Sequence, residues 1–357
     1  MTGVNSEQGK SQPLQLAGSN GSRSPWIIIF TGIVLLSAVL RLTGLNKGIW
    51  LDEYAAIDII SRPTLWVARD YDYPPAYFLL LDAWSVIGTG EAILRSLSVT
   101  LGLGTVILLM LWIRSSDTGG ALIAGLIAAT LPTFLRYSQE IQTYPLLLFG
   151  TVLSLYFAGR VASSERRGPD QLGLAGALAL VVSTHLIGAM ILTAVAFYLF
   201  LTIQDKQRLW STRMMLTLGF PIAVFTFIYL VYLGIPEKTD WWIPIPDSKL
   251  IIEINKNLFG WEALMRLMTR PGWLSYQSAR MVLSFTFLAI LFCLLFGDWK
   301  KNWPLAATAA FFWLELLAFS LLVTPVYWYH VAQIGMISLC GFIGAQLATI
   351  RLEPLRR

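Results

Sequence analysis

The chain has 357 residues, 56% of them hydrophobic and only 13% charged, with a mean hydropathy of +0.63. Soluble domains carry about 25% charged residues, so this composition excludes a disordered, nucleic-acid-binding or ordinary cytosolic protein, despite a net charge of +5 and a pI near 9.2. The 14 Trp, 13 Tyr and 19 Phe fit the aromatic belts at the two faces of a bilayer.

Residues 1–25 are polar and Gly/Ser-rich and read as a disordered tail. The apolar run from Trp26 is too long for a signal-peptide core, and no cleavage pattern follows it, so it is a retained first span. Runs of the length a bilayer needs recur at roughly 26–45, 94–113, 119–136, 144–160, 171–186, 188–204, 214–233, 281–297, 304–323 and 331–350. They are uniformly apolar, without the alternation of barrel strands, so the fold class is all-α and polytopic with about ten transmembrane helices. One transmembrane domain then covers 26–350, followed by a short basic tail at 351–357. The two cysteines, Cys293 and Cys340, lie in separate apolar runs and suggest neither a disulfide framework nor a metal site.

The segment Pro74–Gly88 is apolar but short and carries Asp82 in its middle, which favours an interfacial or re-entrant helix over a span. Charge supports that choice. With this segment outside the membrane core, Arg114, Arg160, Arg166, Arg167, Lys206, Arg208, Arg213, Lys300 and Lys301 all fall in inward loops; a spanning segment would reverse them against the positive-inside rule. Both termini are then cytoplasmic in a multi-pass plasma (inner) membrane protein. The long loops at about 46–93 and 234–280 and the turns at 136–143, 184–188 and 324–330 face outward. Chemistry is expected on that extracytoplasmic side.

Asp52 and Glu53 follow the first span, in Trp50-Leu51-Asp52-Glu53-Tyr54. Asp52 could cap the short helix that the spacing predicts after it. Neighbouring helical positions diverge by about 100°, so the two acids have different roles, one facing a cavity and the other orienting it. Asp72 precedes Tyr73-Pro74-Pro75 and reads either as a helix start or as a second acid returning towards Asp52. The turn Arg136-Tyr137-Ser138-Gln139-Glu140-Ile141-Gln142-Thr143-Tyr144 places an arginine and a glutamate close to hydrocarbon, which is costly unless they are paired or used. His185 and His330 both sit at outer helix ends. Arg95, near the mouth of the second helix, could meet a lipid phosphate, snorkel, or pair with Glu91. Glu315 is a mid-span acid with no evident partner. Trp241, Trp242 and Trp261 read as belt residues or as stacking surfaces for a sugar. No P-loop, G-x-G-x-x-G, H-E-x-x-H or G-x-S-x-G motif occurs, so the substrate is expected from the membrane rather than as a nucleotide.

In this order, these residues resemble the GT-C superfamily of integral-membrane glycosyltransferases, most of all glycosyltransferase family 39 (protein O-mannosyltransferase type) and the aminoarabinose and lipopolysaccharide-core sugar transferases. The resemblance rests on Asp52-Glu53, Asp72-Tyr73-Pro74-Pro75, Gly88 to Arg95, Gln139-Glu140 with Tyr144, and Thr184-His185. It covers about residues 26–200, with a looser echo in Pro325 to His330. Tyr73 stands where the family often has His, Gln142-Thr143 where it often has Arg-Pro, and Tyr329-His330 where a late arginine-tyrosine element is usual. The donor phosphate is thereby left to Arg95, Arg136 or His185.

The resemblance implies a GT-C-like fold with interfacial helices in the first outer loop, and a polyprenyl-phosphate sugar donor with inversion at the anomeric carbon. The acceptor hydroxyl would belong to a glycan, lipid or protein. A phosphate leaving group needs no acid to protonate it, which leaves a general base and positive charge as the requirements. Asp52 is expected as base, with Glu53 or Asp72 positioning the acceptor; Arg95, Arg136, Tyr137, Gln139, Glu140, Tyr144, His185 and His330 are expected to bind substrate. A divalent cation is compatible but not indicated, since the matched positions lack a ligand set. A transporter or lipid flippase, and a non-catalytic membrane assembly factor, are the alternative readings.

Overall fold

The protein is described by a computed structural model covering residues 23–43, 45–115, 117–163, 167–234, 247–250, 299–322 and 333–349. All regular structure among the described residues is helical. In chain order the helices are α1 (Arg23–Leu42), α2 (Leu51–Ile60), α3 (Thr64–Asp70), α4 (Ala76–Ser85), α5 (Glu91–Arg114), α6 (Thr118–Thr130), α7 (Pro132–Tyr137), α8 (Tyr144–Ser163), α9 (Arg167–Val182), α10 (Gly188–Thr202), α11 (Thr212–Thr226), α12 (Trp299–Leu322) and α13 (Gly335–Thr349). A π-helical turn, Phe227–Tyr232, continues α11.

Among the described residues, five helical segments are long and apolar enough to cross a membrane: Pro25–Leu42, Glu91–Arg114, Tyr144–Ser163, Thr212–Tyr232 and Trp303–Leu321. Four shorter apolar helices accompany them, in α6, α9, α10 and α13. The protein is therefore a multi-pass membrane protein. The expected span at 281–297, most of the second long loop, His330, Trp241, Trp242 and Trp261 lie outside the described residues.

Local sequence explains the helix limits. Gly90 caps α5 in an extended conformation, and Glu91 and Arg114 sit at the ends where the helix dipole favours their charges. Asp117 caps α6 by accepting from the Gly120 amide at 2.6 Å. The expected helix over 119–136 is in fact two: α6 stops at Thr130 and α7 restarts at Pro132, which lacks the N–H needed to continue the ladder. The Pro74–Gly88 segment forms only the ten-residue α4, too short to span, as its length suggested.

The bundle core runs through α8, α9, α5, α6, α10, α12 and α13, with Leu147, Val152, Leu155, Leu178 and Leu199 among its enclosed side chains. Glu315 on α12, for which the sequence suggests no partner, accepts from the Thr193 hydroxyl of α10 at 2.7 Å. α6 and α13 approach through small residues, as helices in lipid commonly do: a Cβ on Gly344 would lie 2.3 Å from the Gly120 carbonyl oxygen. α1 stands at the edge. Ile27, Ile28, Leu35 and Val39 are exposed, while Ile33, Ser37 and Arg41 form its buried stripe, four residues apart.

α2, α3 and α4 make a roof over one end of the bundle. Ile59, Tyr77 and Leu81 are fully buried with Leu94, Leu97 and Ile141 in a second apolar cluster that seats this roof on α5 and the α7–α8 turn. The Ala76 amide donates to the Ser183 carbonyl, tying the start of α4 to the α9–α10 turn. The opposite end is basic and self-capped: Arg160 pairs with Asp170 at 2.6 Å, Lys206 donates to the Phe200 and Ile203 carbonyls, and Arg208 donates to the Val161 carbonyl.

The Gly120–Gly344 contact yields a test. Gly344→Ala forces backbone apart and lowers stability by about 1–3 kcal/mol, measured as a fall in thermal midpoint of the purified protein in detergent.

Candidate active site

The roof end collects most of the polar side chains singled out in the sequence around one turn, residues 138–142, between α7 and α8. Its placement begins with Arg41. This buried guanidinium donates to the Ala129 carbonyl at 3.1 Å and the Ala128 carbonyl at 3.4 Å. The Ala128 carbonyl would meet the N–H of residue 132 in a continuing helix, and residue 132 is proline. Arg41 thus supplies a donor that Pro132 removes. It also donates to the Ser138 hydroxyl at 3.2 Å and to the Ser37 hydroxyl at 2.5 Å. Gly102 makes room for this arrangement, since a Cβ there would lie 2.3 Å from the Ser138 oxygen.

Each following turn residue is held in its own way. Gln139 donates to the Leu40 and Arg41 carbonyls at 2.9 and 3.1 Å and accepts from Lys47 Nζ at 2.9 Å. The Glu140 carbonyl accepts from Ser98 at 2.6 Å, and its Oε1 accepts from Arg136 Nε at 3.1 Å. Burial pushes the Glu140 carboxyl above its usual pKa, against the pull of Arg136 and Lys47. Its other oxygen, Oε2, is buried and has no hydrogen-bond partner among the described residues. The Ile141 amide donates to Glu53 at 2.9 Å, and the Gln142 side chain lies beside Asp52 and favours its charged form.

Asp52 and Glu53 diverge as consecutive helical residues must. Trp50, not Asp52, is the N-cap of α2, and no side chain caps that helix, so the expected capping role of Asp52 is corrected. Glu53 turns inward. Its Oε1 and Oε2 accept from Arg95 Nε at 2.8 Å and Nη2 at 2.7 Å, with both side chains 1% exposed. Arg95 Nη1 donates to the carbonyls of Leu45 and Lys47, each at 2.7 Å, and Nη2 to the Gly48 carbonyl at 3.3 Å. All five guanidinium N–H donors are thus spent inside the protein. The expectation that Arg95 meets a phosphate is corrected: it is a post around which residues 45–48 are wrapped, and Glu91 lies only at its margin, 3.6 Å away.

Asp52 turns the other way and is half-buried; burial raises its pKa, opposed by the neighbouring Gln142 side chain. Tyr73 lies in its field, half-buried, with its phenol pushed up first by burial and then by Asp52. Asp72 itself is exposed and has φ of +57°. The Asp72 amide donates to the Arg69 carbonyl and the Tyr73 amide to the Ala68 carbonyl, a pattern that closes α3 with a left-handed residue. Asp72 is thus the helix stop and Tyr73 the residue delivered towards Asp52. The second acid expected beside Asp52 is solvent-facing.

An aromatic row borders the turn. Buried Tyr137 meets Tyr144 edge-on at 5.2 Å, and Tyr144 meets the His185 ring at 5.7 Å. Arg136, with its side chain 51% exposed, lies over Tyr137. His185 Nδ1 accepts from the Ile187 amide at 3.2 Å, and burial lowers its pKa to about 4. It is neutral at physiological pH, which corrects its expected use as a source of positive charge. Among the described residues no three His, Cys, Asp or Glu side chains converge to hold a metal. Lys47, Gln142 and Tyr73 are the participants that sequence reasoning missed. Tyr73 and Gln142 stand out in the sequence only as departures from a family pattern.

Comparisons with known proteins bear on the fold and its class. A family model described as dolichyl-phosphate-mannose-protein mannosyltransferase matches residues 71–237, somewhat under half of the chain. No curated protein sequence matches. The apo crystal structure of ArnT from Cupriavidus metallidurans superposes with a TM-score of 0.63 at 15% identity, covering 93% of this chain and 60% of that one. The same protein bound to undecaprenyl phosphate gives 0.61 at 16% identity, over 94% and 62%. An oligosaccharyltransferase of Archaeoglobus fulgidus, solved with zinc and sulfate, gives 0.50 at 14% identity, over 92% and 49%. The chain spans about 60% of the length of the ArnT structures it matches. These likenesses show that the chain shares the membrane fold of these structures.

The buried pair is open to a direct test. Glu53→Gln or Arg95→Met leaves an uncompensated buried charge and destabilises by about 3–5 kcal/mol. The double variant Glu53→Met/Arg95→Met recovers part of that loss, read as a non-additive double-mutant cycle in thermal unfolding.

Proposed function

We propose that this GT-C-like protein is an inverting glycosyltransferase that moves a sugar from a polyprenyl-phosphate donor to an acceptor hydroxyl, with Asp52 as general base. The observation that carries this reading is the division between two adjacent acids. Glu53 is consumed by Arg95, whereas Asp52 is half-buried at the edge of the same turn with Gln142 and Tyr73 as neighbours. A carboxylate held this way has a fixed position and an open oxygen. The family match, and the undecaprenyl phosphate bound by a protein of similar fold, support the class of donor.

In the reaction the acceptor oxygen forms a bond to the anomeric carbon as the bond from that carbon to the phosphate oxygen breaks. The acceptor proton passes to Asp52, and the electron pair leaves with the polyprenyl phosphate. Phosphate is already a good leaving group, so one base suffices if positive charge meets the departing oxygens. Glu53 acts through Arg95 to hold the loop. Gln142 and Tyr73 orient Asp52, and the row Tyr137, Tyr144 and His185 provides a face for the sugar. Asp72 sets the path of the chain into α4. The basic loops at the opposite end of the bundle support placing the site on the extracytoplasmic side, with both termini in the cytoplasm. Acceptor choice falls to the loops, the segment 234–280 foremost.

Two outcomes test this. Asp52→Asn lowers transfer from a radiolabelled polyprenyl-phosphate sugar by about 100- to 10,000-fold while the thermal midpoint stays at the wild-type value; undiminished transfer by a folded variant rejects the mechanism. The base must be deprotonated and its pKa is raised by burial, so the rate falls on acidification. The midpoint of the acid limb in kcat/KM lies above the value of about 3.9 for a free aspartate.

A further inference from the structure

We infer that Lys47 is the cation that receives the phosphate of the lipid-linked donor. This rests on the donor class proposed above and assigns its anion contact to a residue outside the resemblance motifs. The cationic groups around the 138–142 turn differ in how many of their donors are already spent. The five N–H groups of Arg95 are all occupied within the protein. His185 is uncharged at neutral pH, and its Nδ1 already accepts from a backbone amide. Arg136 is engaged with Glu140 through Nε.

Lys47 differs from all three. Its ammonium carries three donors. Among the described residues it makes one hydrogen bond, to Gln139 Oε1, and its side chain stays accessible. Its backbone is nonetheless fixed, because its own carbonyl and those of Leu45 and Gly48 are bound by buried Arg95. A lysine on a pinned loop, folded back onto the turn rather than into solvent, is pre-positioned for an anion.

Its location suits the reaction. Lys47 bonds to Gln139, and Asp52 lies beside Gln142. Three residues of chain reach at most about 10 Å, so the two groups attach to the turn within the span of a sugar ring and its phosphate. One end holds the carboxylate that takes the acceptor proton. The other holds a compact ammonium for the departing phosphate. The Glu140 carboxyl, whose buried Oε2 has no hydrogen-bond partner among the described residues, lies in the field of the same ammonium. It gives Lys47 a resting counter-charge that does not use up its donors.

The test is equilibrium binding to the purified full-length protein in nanodiscs of neutral lipid, with undecaprenyl phosphate, undecaprenol and inorganic phosphate as probes. Lys47→Met is expected to weaken undecaprenyl phosphate binding at least tenfold and leave undecaprenol binding unchanged, with Lys47→Arg restoring most of the loss. Inorganic phosphate is expected to compete in the wild type and not in Lys47→Met, which separates recognition of the phosphate from that of the chain. Should Lys47→Met fail to fold, wild-type binding must still weaken with salt, and Lys47→Gln must show the same selective loss. Equal undecaprenyl phosphate binding by wild type and Lys47→Met overturns the role of Lys47 and leaves the donor class standing. Absence of undecaprenyl phosphate binding by the wild type overturns both.

Discussion

The bidentate pair of Glu53 and Arg95 is the contact on which the roof end of this protein depends. Taking two charges out of water is expensive, and the cost is met only when every lone pair and proton finds a partner. Here that condition is fulfilled by the Ile141 amide on one side and three carbonyls of residues 45–48 on the other. The pair therefore joins three pieces of chain that are remote in sequence: the stretch from the end of α1 into the first turn of α2, the start of α5 and the α7–α8 turn. A hydrophobic pair of equal volume would fill the space. It would not tell the loop where to stop.

Around that post, polar side chains work as positioning groups. Arg41 replaces the amide that Pro132 lacks, so the break between α6 and α7 becomes a fixed corner instead of a frayed end. Gln139 then binds the end of α1 to the same corner. The site is built by loops, but each loop is held by a buried side chain from a membrane-embedded helix, which gives loop residues the fixity that a functional site needs.

Much of this was legible in the sequence. The apolar runs gave the fold class, the length of Pro74–Gly88 gave a short helix, and the angle between adjacent helical positions separated Asp52 from Glu53. The turn 136–144 stood out because charge so near hydrocarbon demands a reason. What escaped was pairing at long range. Arg95 finds its carboxylate 42 residues away in Glu53, while the local candidate Glu91 stays at the rim. Lys47 drew no reading at all, and Gln142 stood out only where an arginine is usual. Their importance is set by what the fold brings opposite them, at separations of 92 residues for Lys47 and Gln139, and no spacing rule reaches that far. The helix stop at Asp72 shows the converse: its residue type suggested chemistry, while its left-handed backbone accounts for it structurally.

The marginal place of α1 carries a consequence for handling the molecule. Most of its surface looks outward, and its grip on the bundle narrows to a stripe that ends in one buried guanidinium. Lateral pressure from surrounding acyl chains is therefore a main restraint on this helix, and the segment that follows it carries Lys47 and leads to Asp52. Extraction into a loose micelle relaxes that restraint first. The choice of amphiphile thus becomes a variable of the candidate site itself, acting through a helix that lends it mainly a buried guanidinium.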